Sequence, residues 1–218
     1  MSADAVHTVI DDLGALLLFT MILIIAASQI YRAIYAVAAQ SLFIAVAGGV
    51  LATATGNTDL WVIAGVTLVV KAIVLPWVLH RVVQRMDVKR EVEPVIPVGA
   101  TLALAVAVVV MSFHLSTSLG SVRQAITGNA LPVGVSLTLL GVLVMATRKT
   151  ALNQMVGLFA SENGIFFTAM AVSRGMPLII EIGVILDVIL AALVMAIMVL
   201  RVRSTVDADI ADLDRLRG

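Results

Sequence analysis

Lys71, Glu162 and Asp187 each stand near the middle of a long apolar run. An ionisable group at mid-bilayer costs about 2.5 to 3.5 kcal/mol on insertion scales, so such residues mark an ion path or a buried partner by default. Around Glu162, in the stretch QMVGLFASENGIFFTAMAV, the residues one turn away include Leu158, Ile165 and Phe166, leaving the acid as the charged group of its stripe. Beside it runs a seam of small or polar residues, Asn153, Gly157, Ser161, Gly164 and Thr168, at the spacing that lets membrane helices approach closely. Acid and seam therefore both point inward. Asp187 lies between Gly183 and Ala191, each four residues away, which leaves room for a helix or for water. Glu181 precedes it by about 9 Å of helix rise and lies partly around the axis. It reads as a near-surface acid that either snorkels or passes protons in and out. Lys71 is followed by VLPW, and Pro76 removes a rung of the backbone ladder about one turn later. A lysine beside freed carbonyls suits proton exchange, or a fixed ion pair with Glu162 or Asp187.

The elements that carry these groups must be membrane helices. The chain has 218 residues, of which 61% are hydrophobic and 13% charged. Its mean hydropathy of +1.11 is far from that of soluble domains. At about 20 apolar residues per crossing, seven spans are expected, over 13–30, 35–55, 60–79, 95–115, 131–147, 151–173 and 177–200. Pro132 suits the first turn of the fifth. The predicted fold is an all-α integral membrane protein of three regions, 1–130, 131–203 and a short amphipathic tail over 204–218. The 14 Lys and Arg residues fall eleven on one side, two (Arg123 and Arg174) on the other, and one, Lys71, within a span. The positive-inside rule then predicts an outside N-terminus and a cytoplasmic C-terminus. The N-terminal stretch carries Asp4, Asp11 and Asp12 without Lys or Arg, so it lacks the basic head of a cleavable signal and is expected to be retained.

Other chemistries find little footing. No basic cluster carries interleaved aromatics, so nucleic-acid binding has no footprint. The sequence contains no cysteine, which excludes disulfides and thiolate-held iron–sulfur clusters in this chain. His7, His80 and His114 lack partners at metal-ligand spacing. GLFASENG places an acid where a phosphate loop needs amides, and no Ser/His/Asp set is supported by spacing. Catalysis by the chain itself is not expected. The loop HRVVQRMDVKREVEP reads as a solvated basic connection or a docking surface for a soluble partner.

The stretch NQMVGLFASENGIFF, followed by RGMPLIIEIGVILDVILAALVM, resembles component E of hydrogenase-4, a membrane subunit of energy-converting NiFe hydrogenases and formate hydrogenlyase-type complexes. The last three spans are similar to the small K subunit of respiratory complex I and to the matching subunit of cation/proton antiporters. In K-type subunits, one glutamate in each of two adjacent helices belongs to a chain of charges along the midplane. The resemblance implies that Glu162 and Asp187 fill those places. Glu162 stands three residues past the K-type position after Gly-Leu, which here is Phe159, and the second acid is an aspartate.

The resemblance implies a non-catalytic subunit in a redox-driven, proton- or sodium-translocating complex of a bacterial or archaeal cell membrane. Protons would move laterally among Lys71, Glu162, Asp187 and Glu181 as neighbouring charges change. Its implied partners are antiporter-like and complex I-like membrane subunits, membrane lipid and a peripheral cytoplasmic redox arm. The NiFe centre and iron–sulfur clusters would reside in those partners. A stand-alone secondary transporter and a structural membrane scaffold are the alternatives. The first would show broken helices in two related halves, and the second would need no buried charge.

Overall fold

A computed structural model describes residues 3–85, 94–118 and 129–172. The described elements are helices: α1 (Ala3–Ala26), α2 (Ile30–Thr55), α3 (Thr58–Val66), a π-helical stretch (Thr67–Val74), α4 (Leu75–Arg85), α5 (Val98–Ser118), α6 (Ala130–Thr147) and α7 (Ala151–Val172). Among the described residues, five stretches are long and apolar enough to cross a membrane, with α3, the π-helical stretch and α4 forming one of them. Helix α7 has 22 residues and falls outside that set. Asn153, Gln154, Ser161, Glu162 and Asn163 interrupt its apolar character.

Helix ends differ from the hydropathy reading where polar residues continue a helix beyond the apolar run. Helix α1 starts at Ala3, well before the expected 13, and takes Asp4, Asp11 and Asp12 into its first turns. Helix α2 begins at Ile30, so Arg32 lies in its first turn and not in a loop. The third crossing runs on to Arg85, because Leu79, Val82 and Val83 keep a buried stripe while Arg81 and Gln84 face outward. The first residues of the expected charged loop are therefore helical.

Turn chemistry fixes the hairpins. Helix α2 ends on Gly56, whose φ of 68° is the left-handed conformation that glycine adopts without a Cβ penalty. Asn57 follows and caps α3 by accepting from Asp59 N at 2.9 Å. Helices α6 and α7 are joined by a short connection whose Thr147 carbonyl accepts from Val95 N at 2.9 Å. Their interface is the closest in the fold. A Cβ at Gly157 would lie 2.8 Å from the Gly141 carbonyl oxygen, and one at Gly164 would lie 2.6 Å from Thr138 Oγ1. Such backbone approach favours membrane helix association through packing, since lipid removes the hydrophobic drive between helices.

Helices α1, α2, α7 and α6 form a ring in which each packs on the next. The chain through α3 and α4 packs on α2, and α5 lies outside against α6 and α1. Charge divides between the two ends. Arg32, Arg81, Arg148 and Lys149 lie at the end holding the α1–α2 and α6–α7 connections, whereas Asp4, Asp11, Asp12 and Asp59 lie at the other. Asp11 there accepts from the backbone N of Asn129 at 3.3 Å, tying α1 to the start of α6.

Candidate membrane ion-pair site

The π-helical stretch prepares the site. Leu75 N donates to Val70 O, five residues back, and Pro76 next to it has no N–H to give. The ladder widens over Thr67–Val74, with Lys71 inside the widened stretch. Such widenings recur at functional positions. Lys71 is buried, at 4% exposure, and points toward α7.

There its Nζ meets Glu162 Oε2 at 3.2 Å. The same ammonium donates to Asn163 Oδ1 at 3.4 Å and lies 5.8 Å from the centre of the Phe166 ring. Phe166 sits one turn beyond Glu162 and faces the lysine with it, whereas Ile165, of the same sequence stripe, is exposed. Lys71 and Glu162 are thus brought together. Asp187 and Glu181 lie outside the described residues.

A shell of uncharged polar groups stands behind the pair. Asn163 Nδ2 donates to Gln40 Oε1 and to Ser41 Oγ, both at 3.2 Å. Ser41 Oγ donates to Val37 O at 3.0 Å, and Gln40 Nε2 contacts Met21 Sδ at 4.0 Å. Gln40, Ser41 and Asn163 are all fully buried. With two acceptors holding its NH2, Asn163 must turn its carbonyl oxygen toward Lys71, which settles the amide orientation. Sequence reading focused on ionisable groups and missed Gln40, Ser41 and Asn163. The available signal was polar side chains in mid-span, QS within AVAAQSLFIAV and N within SENG.

The small-residue seam turns to a different neighbour than the acid does. Gly157, Ser161, Gly164 and Thr168 pack on Gly134, Thr138, Gly141 and Met145 of α6, whereas Glu162 and Asn163 face the π-helical stretch and α2. Seam and acid both point inward, to two sides of α7. Asn153, the first seam residue, instead donates to Thr150 Oγ1 at 2.7 Å near the helix start.

The remaining candidates lie apart from the pair. His80 packs its ring on Tyr31, with centroids 4.9 Å apart, and its Nε2 lies 2.9 Å from Gln84 Nε2. His114 is exposed near the C-terminal end of α5, and His7 lies in α1. Among the described residues, no group of three or more His, Cys, Asp or Glu could hold a metal ion. Arg148, read as a loop cation, is buried at 4% exposure and donates from Nη2 to Ile25 O at 2.5 Å. It lies just past the end of α6, and burial pushes its pKa below the usual arginine value.

Chemically, the arrangement holds one positive and one negative charge in contact, with a second acceptor for the lysine already oriented. The ammonium contacts both acceptors at once, and all three side chains are buried. The chain is 34% identical over 151 residues to the Mycobacterium tuberculosis protein described as uncharacterized protein Rv0085, covering 69% of this chain and 68% of that one. The chain belongs to the family of that protein. No family model matches the sequence, and no solved structure does.

Proposed function

We propose that the chain is a multi-pass cell-membrane subunit of a redox-driven, proton- or sodium-translocating complex of the hydrogenase-4 type. In this reading it has about seven spans, an outside N-terminus and a cytoplasmic C-terminus, and it supplies Lys71, Glu162 and Asp187 to an ion path at mid-membrane depth, with Glu181 as a near-surface acid at its entrance or exit. The observation that carries the reading is the contact of Lys71 and Glu162 at 3.2 Å inside apolar helices. The separation of basic and acidic residues between the two ends supports the orientation.

The mechanism is electrostatic. While Lys71 rests on Glu162, the two opposite charges face each other at 3.2 Å, so neither is buried without a counter-ion. A negative charge arriving elsewhere along the midplane draws Lys71 toward Asn163, and Glu162 then becomes a proton acceptor. Return of the lysine expels that proton toward the next carboxylate, for which Asp187 is the candidate. The redox centres belong to partner subunits, and this chain contributes charge and position.

Purification in mild detergent tests the assignment. Co-purification with large antiporter-like and iron–sulfur subunits supports it, whereas a monomer or homodimer without them points to a secondary transporter. Within such a complex, Glu162→Gln and Asp187→Asn are expected to abolish ion translocation while leaving assembly and partner redox turnover largely intact. Failure of both variants to assemble would instead make the carboxylates structural pins.

A further inference from the structure

At the basic end of the molecule an open groove of about 560 Å³ lies between α1 and α2. Its walls include Ala26 at the end of α1, Ala27 just after it, and Ala36 and Ala39 of α2, and the shortness of these side chains is what leaves the space. Arg32 and Tyr35 also line it, both exposed. Thr20 adds no free polar group, because its hydroxyl donates to Leu17 O at 2.7 Å.

Depth along the helices defines the groove. Gln40 lies at the level of the ion pair through Asn163, and Arg32 precedes it by eight residues, about 12 Å of rise. Half of a hydrocarbon core is about 15 Å. Arg32 therefore stands at the boundary between lipid tails and headgroups, while Ala39 lies next to the midplane level. The groove is apolar along its depth and cationic at its mouth. Its surroundings repeat that pattern: the Tyr35 ring is 6.3 Å from that of His80, and Arg81 stacks its guanidinium 5.1 Å from the centre of the Trp77 ring. Aromatic and basic side chains together mark the headgroup level.

We propose that this groove binds one anionic phospholipid of the cytoplasmic leaflet, with its phosphate on Arg32 and the upper part of an acyl chain between α1 and α2. The cation at the mouth and the carbon-walled groove beneath it match the charge and the chain of that molecule. Guanidinium pairs well with phosphate through two parallel N–H donors, and basic pockets between helices on the cytoplasmic side bind such headgroups. The inference needs the helices to cross a bilayer, and its choice of leaflet rests on the proposed orientation with the basic end cytoplasmic; it is independent of ion transfer by Lys71 and Glu162.

Native mass spectrometry of the full chain in mild detergent tests it, with dioleoyl phosphatidylglycerol and dioleoyl phosphatidylcholine added as probes. Wild type is expected to retain phosphatidylglycerol in preference. Arg32→Gln should lower that retention about fivefold, the worth of one basic residue at an anionic lipid surface, while Lys149→Gln, which removes a charge at the same end outside the groove, should not. Ala39→Leu fills the groove and should weaken retention with Arg32 intact. Far-UV circular dichroism on each variant confirms its helical content. Equal retention of the two lipids by wild type, or unchanged phosphatidylglycerol retention in both Arg32→Gln and Ala39→Leu, overturns the proposal. Either result leaves the ion-path reading standing.

Discussion

Removing the partners of the Lys71–Glu162 pair one at a time and then together gives the sharpest reading of the site. At 3.2 Å and an effective dielectric of about 20, the mutual attraction is about 5 kcal/mol. Desolvation opposes it by several kcal/mol per ion, so the pair as a whole contributes little relative to a well-packed apolar pair. Loss of one member is different, because the other charge stays buried without its counter-ion, at a typical cost of about 3–5 kcal/mol. For Glu162→Gln the lower end is expected, since Asn163 Oδ1 and the Phe166 ring still face the ammonium. For Lys71→Met the upper end is expected. The double variant should lose less than the sum of the two, with a coupling of about 2 kcal/mol or more. Unfolding of the purified chain in mixed micelles by increasing dodecyl sulfate, followed by far-UV circular dichroism, measures all four proteins. Single variants within about 0.5 kcal/mol of wild type, with additive effects, would refute a buried, energetically coupled pair.

Four further outcomes are expected. Asn163→Leu removes donors to Gln40 and Ser41 and an acceptor for Lys71, and should destabilise by about 1–3 kcal/mol per buried polar group left unsatisfied; the same unfolding titration reads it. Gly164→Ala puts a methyl 2.6 Å from Thr138 Oγ1 and 2.8 Å from the Gly134 carbonyl oxygen, so it should cost about 1–3 kcal/mol by forcing α6 and α7 apart. Gly49→Ala, whose new methyl would rest 3.6 Å from the Trp61 ring, should be near neutral in the same assay. Arg148→Met removes the donor to Ile25 O and should loosen the end of α1, seen as faster amide hydrogen exchange at 25–30 with little change at 40–45.

The charged pair was legible in the sequence because a lysine and a glutamate in apolar runs are costly enough to require an explanation. Their contact was not, since two helices far apart in sequence meet only through α2, α7 and the turn chemistry between them. The seam of Gly157, Ser161, Gly164 and Thr168 was legible for the same reason that it works, its spacing being the spacing of the interface. Gln40 and Asn163 escaped because an uncharged amide costs much less to bury than a charge. Helix ends escaped for another reason: hydropathy marks where lipid begins, and α1 and α4 continue as helices past that boundary. Arg148 shows the same limit. A rule that counts basic residues by side places it correctly at the basic end, yet says nothing of the carbonyl of Ile25 that draws it inward.

The local backbone favours a pair that can open over one that only locks. An ion pair serving stability alone gains most when both charges are sealed in one geometry with every hydrogen bond satisfied. Here Lys71 sits on a π-helical stretch that Pro76 prevents from closing in the regular way, and its second acceptor is already aimed by Gln40 and Ser41. Moving the ammonium from Glu162 to Asn163 thus requires no new hydrogen bond behind it. A neutral acceptor is the weaker of the two, so the resting state is the ion pair, and a neighbouring negative charge has only the difference to supply. That difference falls further if Glu162 takes a proton as the lysine leaves. In the proposed mechanism the uncharged shell, rather than the charges themselves, supplies the alternative for Lys71, so Asn163→Leu is expected to hold Lys71 on Glu162 where the fold survives.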